Sequence, residues 1–440
     1  MATPPRLNEV TQLLVLSFGA IATLGTLLLV LPISSTSTGS LHLVDAAFTA
    51  VSATCVTGLI VLDTPVDLTT FGQFVVLALI QVGGLGIMTF AAAASVYLGR
   101  RLAVREEVLA AEMIGGASAR RDLKKALGTV LGVTAVSELV GASALFVLFA
   151  SEGEPAGSAL WRACFTAVSA FCNAGFALQS DSLVPYQRAP AVLFVVGTLI
   201  LVGGLGPLVV VALPGLRRGR GSLHTRLVVV TTALLVVVPW VAILALEWSH
   251  ALAGLGFGHK LVNALFQSVT LRTAGFNSID FSSLRGATWT LMILCMFVGG
   301  SPGSTAGGVK TTTFAVLLLA LTATIRGRSE AEAFGRRIPH RTVYEAAAIS
   351  TVGVLTGAAV LVALQVTQRL PLDAAVFEVV SALGTVGLSM GATGQLDDVG
   401  KVVIMAAMFA GRVGPLTLFI FLLGRRHPTR RYPLEAVQVG

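Results

Sequence analysis

Residues 54–59 read T-C-V-T-G-L: small, apolar and uncharged. Two long apolar runs, 10–33 and 71–98, flank them. A Thr-Gly pair suits a tight turn, but a hairpin turn joins short alternating strands, and neither flank alternates. An uncharged glycine loop between two helix-length hydrophobic runs therefore needs another explanation. The rest of the chain supplies it.

Of 440 residues, 55% are hydrophobic and 12% charged, with mean hydropathy +0.85. A soluble domain carries roughly 25% charged residues. Half that leaves too little polar surface for a water-soluble fold, so the class is an all-α integral membrane protein with many spanning helices. No stretch reads as a soluble catalytic domain, and the reading is not an enzyme. The first apolar run has 24 residues. That exceeds a signal-peptide core of roughly 7–15, so it reads as a retained transmembrane helix. Cys55, Cys164, Cys172 and Cys295 lack metal-ligand spacing and read as buried free thiols.

Basic residues fall in clusters. Arg100, Arg101, Arg105, Arg120, Arg121, Lys124 and Lys125 form one, and Arg217, Arg218, Arg220 and Arg226 a second. Arg326, Arg328, Arg336, Arg337 and Arg341 form a third, and Arg425, Arg426, Arg430 and Arg431 close the chain. With Arg6 these are 21 of the 30 Lys and Arg residues. The positive-inside rule makes both termini and the three loops cytoplasmic. Acidic residues, among them Asp63, Asp181 and Asp280, lie in the other connections and bias the outer mouth toward cations. The net charge of +8 is thus topology, and nucleic acid is not an expected partner.

The 54–59 loop recurs. F-T-A-V-S-A-T-C-V-T-G-L (48–59), F-T-A-V-S-A-F-C-N-A-G-F (165–176), F-Q-S-V-T-L-R-T-A-G-F (266–276, one residue shorter) and F-E-V-V-S-A-L-G-T-V-G-L (377–388) align. Their glycines, Gly58, Gly175, Gly275 and Gly387, are 117, 100 and 112 residues apart. Each loop follows a short segment of about 10–13 residues, too short for the roughly 20 that span a bilayer. These segments predict re-entrant half-helices entering from outside, with Asp45, Asn263 and Asp373 at N-cap positions. Their C-terminal ends would carry partial negative charge toward mid-membrane. Each following apolar run is interrupted: V-G-G-L-G-I (82–87), V-G-G-L-G-P (202–207), V-G-G-S-P-G-S-T-A-G-G-V-K (298–310) and A-G-R-V-G-P (410–415). None follows a strand, so a dinucleotide loop is excluded. The first two read as tight helix packing. The third has five glycines and a proline within residues 299–308 and cannot stay helical.

The predicted units are therefore 10–100 (repeat one), a cytoplasmic loop at 101–125, 126–215 (repeat two), 226–324 (repeat three, with the irregular loop 299–310), a cytoplasmic loop at 325–342, 343–424 (repeat four) and a cytoplasmic tail at 425–440. Four parallel helix–half-helix–loop–helix repeats surround one axis. Four carbonyl-bearing loops around an axis can replace the hydration shell of K⁺.

At this point the chain resembles the membrane subunit of the Ktr/Trk/HKT superfamily of potassium transporters, closest to the Ktr type. The resemblance rests on C-V-T-G-L, F-C-N-A-G-F, L-R-T-A-G-F-N and G-T-V-G-L-S in order, with G-G-S-P-G-S-T-A-G-G-V-K and G-R-V-G-P-L-T-L, and covers about residues 10–425. It implies a potassium-channel-like fold, K⁺ as the transported ion, and a multi-pass protein of the plasma membrane, in bacteria the cell membrane. It implies a homodimer with one pore per subunit, and a cytosolic ring of nucleotide-binding regulatory subunits of the KtrA/TrkA kind. This chain has no nucleotide-binding domain, so it binds no nucleotide itself, and Na⁺ is left open as an activator. Carried over, the selectivity filter would be Cys55, Val56, Thr57 and Gly58; Cys172, Asn173, Ala174 and Gly175; Arg272, Thr273, Ala274 and Gly275; and Gly384, Thr385, Val386 and Gly387. Their backbone oxygens would hold K⁺. Related plant transporters that prefer Na⁺ carry Ser at the first filter glycine, so Gly58 implies K⁺ preference. Gly299, Gly300, Ser301, Pro302, Gly303, Ser304, Thr305, Ala306, Gly307, Gly308 and Lys310 would form an intramembrane gate below the filter, with Arg412 facing the path.

Lys310 and Arg412 are the only basic residues in the predicted spans, and an unpaired charge there is costly. Glu138 is the expected partner of one of them. A bare Arg272 would repel K⁺, so its side chain is expected to turn outward and pair with Asp280 or Glu378. An alternating-access carrier would need inverted repeats and midplane carboxylates. The repeats here are parallel and only Glu138 lies deep. A membrane-embedded enzyme would need a His, Asp, Glu or Cys constellation, and the six histidines lie mostly in loops.

Overall fold

The computed structural model describes residues 7–37, 39–103, 115–219 and 221–414. Arg6, Arg105, Arg220, the end of repeat four at 415–424 and the predicted tail at 425–440 lie outside the described residues.

Repeat one runs as α1 (Leu7–Val30), α2 (Leu43–Thr54), the single turn α3 (Thr64–Asp67) and α4 (Thr70–Ala103). Repeat two is α5 (Gly115–Ser151), α6 (Ala156–Cys172), α7 (Pro190–Leu205) and α8 (Pro207–Arg217). Repeat three is α9 (Leu223–Glu247), α10 (Phe257–Thr270), α11 (Gly286–Met296) and α12 (Thr311–Ile325). A short antiparallel hairpin, β1 (Ala331–Ala333) and β2 (Arg336–Ile338), precedes repeat four: α13 (His340–Thr367), α14 (Leu372–Gly384) and α15 (Asp398–Val413). Among the described residues, four stretches are long and apolar enough to cross a bilayer: Thr70–Thr89, Lys124–Ser151, Leu223–Glu247 and His340–Thr367. The pair α7–α8 makes a fifth when its 92° bend is counted within one span. The half-helices α2, α6, α10 and α14 have 12, 17, 14 and 13 residues, below the roughly 20 needed to span.

The closing helix of each repeat packs on the half-helix of the next: α4 on α6, α7 on α10, and α11 on α14. The chain has no covalent link to close the fourth seam, yet α15 packs on α2. There Lys401 Nζ meets Asp45 Oδ1 at 2.5 Å, and both side chains are largely buried. His42 sits 3.8 Å from Asp398 beside them. The same seam starts with a capped helix: Asp397 accepts from the Gly400 N–H at 2.8 Å. That bond, aided by Gln368, holds its carboxyl below the usual carboxylate range.

Three expectations change. Three half-helices start earlier than the N-cap reading placed them, at His42, Gly256 and Pro371 in place of Asp45, Asn263 and Asp373; α6 has Pro155 at that position, and none of these four side chains caps. Asp45 and Asp373 lie in the first turn instead, where a carboxylate favours the positive helix end. Asn263 lies inside α10, and its Nδ2 donates to Gln187 O and His259 O, both at 2.8 Å. Second, V-G-G-L-G-I does not interrupt α4, which stays helical throughout, whereas V-G-G-L-G-P does break its run, at Gly206 (φ 83°) before Pro207. Third, the predicted loop at 325–342 contains the β1–β2 hairpin, turned by Phe334 and Gly335 with φ of 52° and 71°. All four cysteines are free; Cys55 and Cys172 are buried, whereas Cys164 and Cys295, read as buried, are half-buried.

Candidate functional site

The four half-helices end in one local device. Val56, Asn173, Thr273 and Thr385 each adopt a left-handed backbone, with φ of 55°, 61°, 67° and 49°. The next N–H then turns back to a carbonyl of the last helical turn: Thr57 to Ser52, Ala174 to Ser169, and Val386 to Ser381, at 2.7–2.8 Å. This is the Schellman reach of five residues. In repeat three Ala274 reaches Thr270, four residues back, at 3.0 Å. That shorter closure is how a loop with one residue fewer ends its helix. Left-handed backbone is unusual for β-branched residues and stores strain. Val56, Thr273 and Thr385 carry it here.

Two residues on, Gly58, Gly175, Gly275 and Gly387 have φ of 93°, 71°, 76° and 87°. They meet each other. A Cβ on Gly58 would lie 3.1 Å from Gly175 Cα, and one on Gly175 2.8 Å from Gly275 Cα. One on Gly275 would lie 3.3 Å from Gly387 Cα, and one on Gly387 3.0 Å from Gly58 Cα. The four loops therefore close a ring in sequence order, with no room for a side chain at any corner.

Serines hold the ring from behind. Ser52 Oγ donates to Leu59 O at 2.7 Å and accepts from the Gly58 N–H at 3.1 Å. Ser169 Oγ donates to Phe176 O at 2.7 Å, and Ser381 Oγ accepts from the Gly387 N–H at 3.1 Å. The residue reading missed these braces. Their signal was the serine at one position of three repeats. Helix glycines support the same loops: a side chain at Gly83, Gly203 or Gly411 would strike the carbonyl oxygen of Thr54, Phe171 or Leu383. Each of those carbonyls stands four residues before a ring glycine.

On one side the ring opens into a cavity of about 510 Å³, lined by all four ring glycines and by Asp63, Asp181 and Asp280. On the other side lies the irregular segment after α11. The break between α7 and α8 frees carbonyls at the end of α7, which must find donors inside a bilayer. The segment supplies them. Ser301 N–H donates to Gly204 O at 3.0 Å and Thr305 N–H to Gly203 O at 3.3 Å. Ser301 Oγ also donates to Gly204 O and Leu205 O, and Thr305 Oγ1 donates to Phe171 O at 3.1 Å. Two broken spans thus satisfy each other directly below the second ring loop.

Lys310 and Arg412 are held by carbonyls, and among the described residues neither has the expected carboxylate partner. Lys310 Nζ donates to Ala306 O at 2.5 Å and Gly307 O at 3.4 Å. Arg412 is buried; its Nη1 donates to Thr305 O and its Nη2 to Gly83 O at 2.9 Å. It therefore ties the irregular segment to the helix of repeat one. Glu138 pairs with neither. Its Oε2 accepts from Gln81 Nε2 at 3.1 Å. Nor does Arg272 turn outward. It is buried, forms no ion pair among the described residues, and leaves Nε and Nη2 without a hydrogen-bond partner. Glu378 accepts instead from Ser389, from Thr393 at 2.5 Å and from the Met390 N–H at 3.3 Å, bracing the chain after the fourth loop. Carboxylates near hydroxyls and N–H groups of their own loop find partners locally. Arg272 therefore stays where the end of its short half-helix puts it.

Four parallel repeats closing a ring of left-handed glycine loops, between an acid-lined cavity and a broken-helix segment, make a channel-like membrane protein for cations. The chain belongs to the TrkH family of cation transport proteins, whose pattern matches residues 1–213 and 221–428. It is 39% identical to the Ktr system potassium uptake protein B of Bacillus subtilis, over 100% of this chain and 97% of that one. It is 38% identical to the potassium/sodium uptake protein NtpJ of Enterococcus hirae, over 99% and 98%. Among solved structures, that of the potassium transporter TrkH from Vibrio parahaemolyticus matches with a TM-score of 0.71, covering 94% of this chain and 85% of that one at 21% identity.

Proposed function

We propose that the protein takes up K⁺ across the plasma membrane through a channel-like pore, with the four-loop ring as its selectivity filter. The observation that carries this is the closure of Gly58, Gly175, Gly275 and Gly387 on one another, with positive φ at alternate residues of every loop. Alternating the sign of φ turns successive carbonyls to one side, and a ring of such carbonyls can replace the water around K⁺. The ligands are the carbonyl oxygens of residues 55–58, 172–175, 272–275 and 384–387. Asp63, Asp181 and Asp280 gather cations at the mouth. In this reading the cysteines of the filter act through their backbone.

The segment 299–310 is the gate. Its hydrogen bonds to α7 and to Arg412 hold it beneath the filter, where Arg412 and Lys310 donate to the neighbouring carbonyls of Thr305 and Ala306. Opening moves the segment and the two cations off the axis. The energy for that comes from a cytosolic ring of nucleotide-binding regulatory subunits. The working protein is a homodimer with both termini on the cytoplasmic side. The two named relatives, one for potassium and one for potassium and sodium, support K⁺ as the cargo and leave room for Na⁺ as a second ion or an activator.

The reading predicts K⁺ uptake into vesicles that follows an imposed membrane potential, needs no coupling gradient and exceeds Na⁺ uptake. The measurement is paired K⁺ and Na⁺ flux at a series of potentials. Uptake that stops without a second ion gradient contradicts it.

A further inference from the structure

Glu138 is an intramembrane carboxylate that the pore reading leaves unused. It lies on α5, among exposed Val136, Leu139 and Val140, and has no basic partner among the described residues. A carboxylate in that position is costly to insert. One of its oxygens, Oε1, is buried without a partner. Its single hydrogen bond leads inward. Gln81 on α4 donates through Nε2 to Glu138 Oε2 at 3.1 Å, and Gln81 Oε1 accepts from Cys172 Sγ at 3.5 Å. Cys172 is the last residue of α6 and immediately precedes left-handed Asn173.

We propose that Glu138 is a positioning residue for the second filter loop, acting through Gln81 on Cys172. The chemistry fixes the direction of the chain. Glu138 Oε2 accepts in this bond, so Gln81 turns its NH₂ toward it. That leaves the Gln81 carbonyl facing inward, and the Cys172 thiol is its donor. One turn along α4, Gly84 closes the other side, since a Cβ there would lie 2.6 Å from Cys172 Sγ. The thiol is thereby held at two points, and with it the peptide whose carbonyl begins the second filter loop. The other loops lack this device among the described residues: no side-chain hydrogen bond joins the Cys55 thiol there, and the third and fourth loops have Arg272 and Gly384 at that place. Cys172 is thus anchored from outside its own repeat.

This inference rests on the filter reading, and the test separates the two. Full-length wild type, Glu138→Leu, Glu138→Gln, Gln81→Met and the Glu138→Leu/Gln81→Met pair are placed in vesicles. The K⁺-to-Na⁺ uptake ratio is read for preparations that elute as one species. Glu138→Leu and Gln81→Met each lower the ratio about fivefold, the factor one typical hydrogen bond carries. Glu138→Gln keeps an amide oxygen for Gln81 and stays within about twofold of wild type. The pair falls no further than either single change, because both break one chain. A full ratio in folded Glu138→Leu, or additive losses in the pair, overturns the proposal. Should Glu138→Leu not fold, Gln81→Met decides on the same ratio. A wild type without K⁺ preference fails the filter reading itself, whereas a selective wild type with unchanged variants fails only the role of Glu138.

Discussion

Gly58→Ser lowers the K⁺-to-Na⁺ uptake ratio by about tenfold, and total K⁺ flux falls with it. The backbone at Gly58 has φ 93°, and a side chain there points at Ala174 O and at Gly175 Cα. Strain of this kind costs about 1–3 kcal/mol, and every 1.4 kcal/mol is about a factor of ten. The loop can relieve it only by withdrawing from Gly175, which widens the ring at one seam. A wider ring holds K⁺ less closely and admits ions that keep more of their water. Flux of both ions in the same vesicles measures the change. A folded variant with the wild-type ratio removes Gly58 from the filter. The serine brace sharpens the contrast: Ser52→Ala removes two hydrogen bonds behind the same loop but adds no Cβ inside the ring. Its effect is the smaller.

Arg412→Ala raises K⁺ flux by about tenfold or more when no regulatory partner is present. The guanidinium donates to Thr305 O in the irregular segment and to Gly83 O in α4. A hydrogen bond from a charged donor is worth about 1.5–3 kcal/mol. Losing both frees the segment from repeat one and removes one of two cations below the filter. Arg412→Lys keeps the charge but cannot reach both carbonyls as a rigid fork. If the barrier is charge alone, Lys behaves as wild type; if the tie to Thr305 holds the gate, Lys is as leaky as Ala. Unchanged flux in folded Arg412→Ala contradicts a gating role of either kind.

Much of this was legible in the residues because the fold is repeated. One uncharged loop at 54–59 said little. Four copies at nearly even spacing said that four half-helices point at one place, and the structure brings their glycines into contact. Repetition also marked the departures. The missing residue in repeat three becomes a four-residue closure at Thr270, and the glycine-rich run in its last helix becomes the segment that answers the broken α7. Side-chain partners were less legible. Glu138, Lys310, Arg412, Arg272 and Glu378 looked like a set of ion pairs, since opposite charges in a membrane are expected to meet. The structure gives Lys310 and Arg412 backbone carbonyls instead, three of them (Thr305, Ala306 and Gly307) in the irregular segment and one, Gly83 O, in unbroken α4. Such oxygens cannot be seen in a sequence until the breaks are placed. Helix starts failed for a related reason. Asp45 reads as a cap by composition, but its carboxylate is taken by Lys401 of the last repeat, a contact 356 residues away.

The central claim is that the ion passes through the ring formed by Gly58, Gly175, Gly275 and Gly387. Rb⁺ scatters anomalously and substitutes for K⁺ at carbonyl sites, so diffraction from crystals grown in Rb⁺ locates the ion directly. The account predicts Rb⁺ on the axis, within coordination distance of carbonyl oxygens from all four loops. Rb⁺ bound elsewhere in the protein, with no density inside the ring, contradicts it.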